Sequence, residues 1–156
     1  MTEKQQDRPI LVPVDFSPHA EAALLHAVEL AGCLGRPLLV LHVVHDPGEM
    51  PGYYAEALKK KQLRRIEDGA AAMLEAFMTR VVKQHPESRN LRHVETMLVK
   101  GLPATRILEV AEKKNAAMIV LGSKGKTGVK RLLIGSVAER VVHLGAVPVT
   151  VVKAAK

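Results

Sequence analysis

The chain has 156 residues, 47% hydrophobic and 25% charged, which suits one globular domain with a buried core and excludes a disordered, low-complexity chain. A net charge of +7 favours acidic ligands, yet 3% aromatics and no tryptophan leave no stacking platform for single-stranded nucleic acid. The lone Cys33 excludes an internal disulfide, and no apolar run approaches the ~20 residues of a membrane span, so a cytoplasmic protein with no membrane partner is expected.

Residues 1–8, MTEKQQDR, are polar and read as a short disordered leader, with a single domain over 9–156. Ile10–Val14 is a compact apolar run that holds Pro13 and ends at Asp15, and it reads as a buried strand. Ser17-Pro18 then supplies a capping serine and a proline suited to the first helical position. Ala23, Ala27, Leu30 and Leu34, with Leu24, Val28 and Ala31, recur at helical spacing until Gly35. Cys33 lies among small apolar residues of this helix and is expected to pack. Pro37–Val44 reads as a second buried strand. His42 and His45 lie three apart on that segment, so they point to opposite faces and are not expected to share a metal.

Asp46–Gly52 is rich in turn residues. From Tyr53 to about Gln84 a long helix carries Leu58, Ile66, Ala70, Met73, Leu74, Phe77 and Val81 on one stripe. Its cluster of Lys59, Lys60, Lys61, Arg64 and Arg65 reads as a solvated face, and nucleic acid is not the expected partner. His93–Val99 reads as a third strand, with Val94, Thr96 and Leu98 on one face. Gly101-Leu102-Pro103 leads into a helix through Lys114, with Leu102 a poor cap. Ala117–Leu121 is a fourth strand, Gly135 to about Gly145 a last helix, and Val147–Val152 a fifth strand.

Continuously apolar strands alternating with helices predict an α/β fold: a doubly wound, five-stranded parallel sheet of order 3-2-1-4-5 with helices on both faces. Ligands bind such sheets at the carboxyl ends of the strands, where the order reverses. Asp15 and Gly122 fall at that point, after the first and fourth strands.

The stretch from Gly122 through Gly125 to Gly135-Ser136 has the spacing G-x2-G-x9-G-S, between a strand and a helix. Glycines let backbone N–H groups approach a ligand, and a helix N-terminus attracts anions. Lys124, Lys126, Lys130 and Arg131 add positive charge. A Walker A loop would need a glycine where Val120 stands, and a dinucleotide fingerprint would need glycines after the first strand, where Asp15-Phe16-Ser17-Pro18 stands instead. A phosphate site and a generic glycine-rich surface loop both fit this spacing. Ser136 is open to two uses, because Ser136-Val137-Ala138-Glu139 also spells a capping box.

Taken in order, ILVPVDFSPHAEAALLHA, LLVLHVVHD, GLPATRILEVAEKKNAAMIVLG and the glycine motif followed by VAERVVHLGAVPVTVVK resemble the universal stress protein family, from Ile10 to Lys153. The glycine motif resembles that of its ATP-binding branch. The resemblance implies that Pro13, Val14 and Asp15 line the adenosine side, and that the Val43 backbone meets the adenine edge. It further implies that Leu121 and Gly122 flank the ribose, that Ser123 and Gly125 turn beside the phosphates, and that Gly135, Ser136, Val137 and Ala138 offer amides to them. Ala138 lacks the hydroxyl that some members carry there. The implied ligand is ATP or another adenine nucleotide, with Mg²⁺ arriving alongside it near Asp15.

No Ser/His/Asp or Cys/His set has catalytic spacing, so sensing or regulation in stress response through bound nucleotide is expected, with slow hydrolysis at most. The competing readings are a Mg-dependent ATPase or phosphotransferase using Asp15, and a dimeric protein acting by interaction without nucleotide. The apolar, β-branched fifth strand at a sheet edge predicts a homodimer through that strand, which the resemblance also implies.

Overall fold

A computed structural model describes residues 7–45, 55–125 and 134–154, and of residues 55–64 the backbone alone. The elements in chain order are β1 (Ile10–Pro13), α1 (Pro18–Leu34), β2 (Leu38–Val44), α2 (Ala55–Gln84), a 3-10 turn (Arg89–His93), β3 (Glu95–Lys100), α3 (Pro103–Lys113), β4 (Met118–Gly122), α4 (Ser136–Leu144) and β5 (Val149–Val152). The sheet order is β3-β2-β1-β4-β5 and every pair is parallel, as the alternation of elements predicts. The turn residues 46–52, and Lys126, Lys130 and Arg131 of the glycine-rich loop, lie outside the described residues, as do the side chains of Leu58 and of the basic cluster up to Arg64.

Alternation along the strands splits the interior into two cores. Ile10, Val12, Leu38, Val40 and Val120 pack with Leu24, Val28, Leu74, Phe77 and Val81 of α1 and α2. Leu11, Leu39, Leu41, Ile119 and Leu121 pack on the other face with Ile107, Val110, Ala138 and Val141 of α3 and α4. The helices therefore cover both faces of the sheet.

Several local expectations shift. Cys33 is exposed, because it follows Ala31, the last buried residue of α1, on the solvent side of the final turn. Ile66 and Met73 are also exposed; among its described side chains, α2 buries the Ala70, Leu74, Phe77 and Val81 line. The strand β5 begins at Val149 rather than Val147, since Pro148 has no N–H for a ladder, although its carbonyl still accepts from Ile119 at 2.9 Å. Before β1, Arg8 is anchored, its guanidinium donating to the carbonyls of Asn115 and Ala116.

The sheet is built to part between β1 and β4. Val14 N–H bonds across to Leu41 on β2 at 2.8 Å, as Ile10 N–H bonds to Pro37 at 2.9 Å. Donors alternate along a strand, so residues 11 and 13 face β4. The β1–β4 ladder ends at Leu11 opposite Ile119. Its next donor would be the N–H of residue 13, and proline has none.

Candidate functional site

Where β1 and β4 part, a cavity of about 370 Å³ opens at the carboxyl ends of the strands. All of the residues singled out from the sequence line it: Pro13, Val14, Asp15, Val43, Leu121, Gly122, Ser123, Gly125, Gly135, Ser136, Val137 and Ala138. Lys124, noted in the sequence for its charge, lines it too, and the sequence reading missed Ala20, Leu41, His42, Pro103 and Ile107 as lining residues. Pro103 and Ile107 come from the first turns of α3, which the crossover swings over the cavity. No local motif marks them.

One end of the cavity is apolar, walled by Leu41, Val43, Pro103 and Ile107. The other end is the start of α4. Here the capping box fails by one residue: Gly135 is the N-cap, in extended conformation, and Ser136 is already helical. The frame is set by the Gly135 N–H, which donates to the Ser123 carbonyl at 2.7 Å, and by the Gly135 carbonyl, which accepts from Glu139 at 2.9 Å. A glycine cap has no side chain to satisfy the first amides of the helix. The N–H groups of Ser136, Val137 and Ala138 have no intrahelical acceptor, and Ser136 is exposed.

Asp15 follows β1 in a tight turn. Its Oδ1 accepts the Ser17 N–H at 3.1 Å, and the buried Ser17 hydroxyl accepts the Ala20 N–H, capping α1. Between them Phe16 adopts φ +65, a left-handed conformation unfavourable to a residue with a Cβ. Its ring lies 4.3 Å from that of His42 and 5.6 Å from that of Phe77, centroid to centroid. His42 donates from Nδ1 to the Val14 carbonyl at 2.8 Å, because a carbonyl can only accept. The histidine thus joins β2 to the end of β1 and supports the turn. His45 is exposed beyond the strand.

The glycines do different jobs. A Cβ on Gly122 would lie 2.7 Å from the backbone carbon of His19 and 2.9 Å from its Cβ and oxygen. Gly122 therefore lets α1 close on β4 while also lining the cavity. A Cβ on Gly125 would lie 2.6 Å from Asp15 Oδ2, so the carboxylate rests against the loop. Among the described residues, no group of three or more His, Cys, Asp or Glu side chains is placed to hold a metal, so any metal role of Asp15 depends on phosphate oxygens. No helix among the described residues is long and apolar enough to cross a membrane.

This fold recurs in known proteins. A universal stress protein of Methanocaldococcus jannaschii is 37% identical over 150 residues, covering 94% of this chain and 82% of the relative. UspA of Lactobacillus plantarum superimposes with a TM-score of 0.78 at 28% identity, covering 94% of this chain and 98% of that one. A universal stress protein of Archaeoglobus fulgidus in complex with dAMP shares the fold alone, with a TM-score of 0.56 at 24% identity over 95% of this chain and 99% of its own. The profile of the Universal stress protein family matches residues 8–153, nearly everything from Arg8 to the end of β5. The chain belongs to the universal stress protein family.

Proposed function

We propose that the cavity binds an adenine nucleotide, ATP or a close relative of it, and that the protein works in stress response by nucleotide-dependent sensing or regulation. The observation that carries this reading is the polarity of the cavity. Its apolar end, between Val43 and Ile107, suits a purine, with the Val43 backbone as the hydrogen-bonding edge. Its far end collects the side-chain-free start of α4 and Lys124, which suits phosphate. The A. fulgidus fold neighbour, in complex with dAMP, supports the capacity of this architecture for an adenine nucleotide.

Binding without efficient turnover fits the side chains. Phosphate contacts that hold ground and transition states alike do not accelerate hydrolysis. Asp15 is engaged with Ser17 and rests against Gly125, and His42 is engaged with Val14, so neither is positioned as a general base. Asp15 is the residue that would hold Mg²⁺ arriving with the nucleotide, and the ion would offset phosphate charge.

A second element of the proposal is a homodimer through β5. Pro148 and Val152 use their carbonyls toward β4, accepting from Ile119 and Ser123, so by alternation the backbone groups of Val149 and Val151 face the open edge. An apolar edge with free donors and acceptors invites pairing with a second copy.

Isothermal titration with ATP, ADP, AMP and cyclic AMP, with GTP as the control, tests the nucleotide reading. Saturable binding of an adenine nucleotide, weakened in Gly125→Val, is expected. A folded protein that takes up none of them at millimolar concentration overturns it.

A further inference from the structure

Ser123 sits at the neck of the glycine-rich loop and is fully buried. Its N–H donates to the Val152 carbonyl at 2.7 Å, and its own carbonyl accepts the Gly135 N–H at 2.7 Å. Both ends of the loop and the end of β5 therefore meet at one residue. The remaining polar group is its hydroxyl, which lies 3.2 Å from Nδ1 of His19. The same Nδ1 lies 2.9 Å from the backbone nitrogen of Ala154.

A backbone N–H can only donate, so Nδ1 of His19 must be an acceptor. The imidazole then carries its proton on Nε2, and the Ser123 hydroxyl donates to Nδ1 as well. One ring nitrogen thus gathers two donors, separated from it by 104 and 135 residues in sequence. The start of α1 makes one longer tie to the same loop, the Ser17 hydroxyl, which caps the helix and lies 3.5 Å from the Lys124 carbonyl as a donor, but His19 alone of these two joins the loop neck to the tail of β5.

We infer that His19 is a positioning residue for the nucleotide site: it clasps the neck of the glycine-rich loop at Ser123 and the tail of β5 at Ala154. The inference rests on the reading of the cavity as a nucleotide site. The clasp gives the loop one fixed origin, so that the amides at the start of α4 stand at a set distance from the purine end. A hydroxyl committed to His19 also removes Ser123 from the groups that contact phosphate. Because Ala154 follows β5, the neck and the dimer-forming edge share a joint.

The test uses the full chain with three variants. His19→Asn keeps an acceptor close to the Nδ1 position, His19→Leu removes it at similar bulk, and Ser123→Ala removes one of the two donors. In the wild type without nucleotide, imidazole ¹⁵N shifts should report the Nε2–H tautomer. Amide hydrogen exchange at Ala154 and Gly135 should quicken in His19→Leu and stay near wild type in His19→Asn. In Ser123→Ala, exchange should quicken at Gly135 and remain slow at Ala154. Nucleotide affinity should fall about five- to tenfold in His19→Leu, the scale of one or two lost hydrogen bonds, and recover in His19→Asn. An Nδ1–H tautomer overturns the inference, and so do Asn and Leu variants that behave alike in exchange. If the wild type binds no nucleotide, the functional reading fails separately, while the tautomer and exchange results still decide whether the clasp exists.

Discussion

Replacing Gly122 with alanine sets two effects against each other. In an open strand position the change would stabilise by about 0.4–1 kcal/mol, because the unfolded chain loses freedom. Here the new methyl would sit 2.7 Å from the His19 backbone carbon and 2.9 Å from its oxygen, closer than packed carbons tolerate. The obstruction is main chain, at the first turn of a helix fixed by the Ser17 cap, so no rotamer change relieves it. Overpacking of this kind costs about 1–3 kcal/mol. The net is a loss of about 1–2 kcal/mol, which for a domain of this length lowers the melting midpoint by about 2–8 °C. Gly69 is the matching control: it lies within α2 and a Cβ there meets nothing within 4 Å. Gly69→Ala should raise the midpoint, by about 0.5–1 kcal/mol in stability. Scanning calorimetry without nucleotide reads both. A Gly122→Ala variant that melts at or above the wild-type temperature refutes the account of β4 packed against α1.

Three further outcomes are expected. Phe16→Gly and Phe16→Ala lose the same ring contacts to His42 and Phe77, but only glycine accepts φ +65 without penalty, so denaturant titration should find the glycine variant more stable by about 1 kcal/mol, and equal stability would contradict a left-handed Phe16. Val149 and Val151 turn their side chains into the α3/α4 core, so lysine there would injure the fold, whereas Val151→Pro removes an edge donor and spares the ladder to β4. Light scattering after size exclusion should show about 34 kDa for the wild type, two chains of 17.0 kDa, and a shift toward 17.0 kDa for the variant; a monomeric wild type at tens of micromolar rejects the dimer. Steady-state phosphate release with ATP and Mg²⁺ should stay well below about 1 per second, and enzyme-like turnover that is lost in Asp15→Asn would identify a hydrolase instead.

The strand order and the place of the cavity were legible because each strand is a short apolar run and each connection a helix, which leaves few right-handed windings. Asp15 and Gly122 mark strand ends in the sequence, and the winding brings them together. What escaped was contact between distant segments. His19 meets Ser123 and Ala154 only after α1 has packed across β4 and β5, and nothing local to Pro18-His19-Ala20 announces it. For His42 the sequence argued only against a metal shared with His45, and its bond to Val14 depends on β1 lying beside β2. The packing role of Gly122 was hidden for the same reason: a glycine needed for helix approach and one needed for ligand approach look identical in a string of letters. The capping box at Ser136 was misframed by one residue, since the bond from Gly135 to Ser123, across the loop, decides where the helix begins.

Pro13 has a consequence for the timing of binding. Beyond Leu11 and Ile119 no donor on β1 faces β4 to close the sheet, so the slot at the proposed purine end stands open without any β1–β4 ladder bond having to break first. On the nucleotide reading proposed above, entry there should be a single bimolecular encounter, with an observed rate that climbs in proportion to ligand concentration instead of levelling off at an opening step. A residue with an N–H at position 13 would hand β1 a donor facing Val120 and draw the strands together. One imino acid thus keeps the gate from ever needing a key.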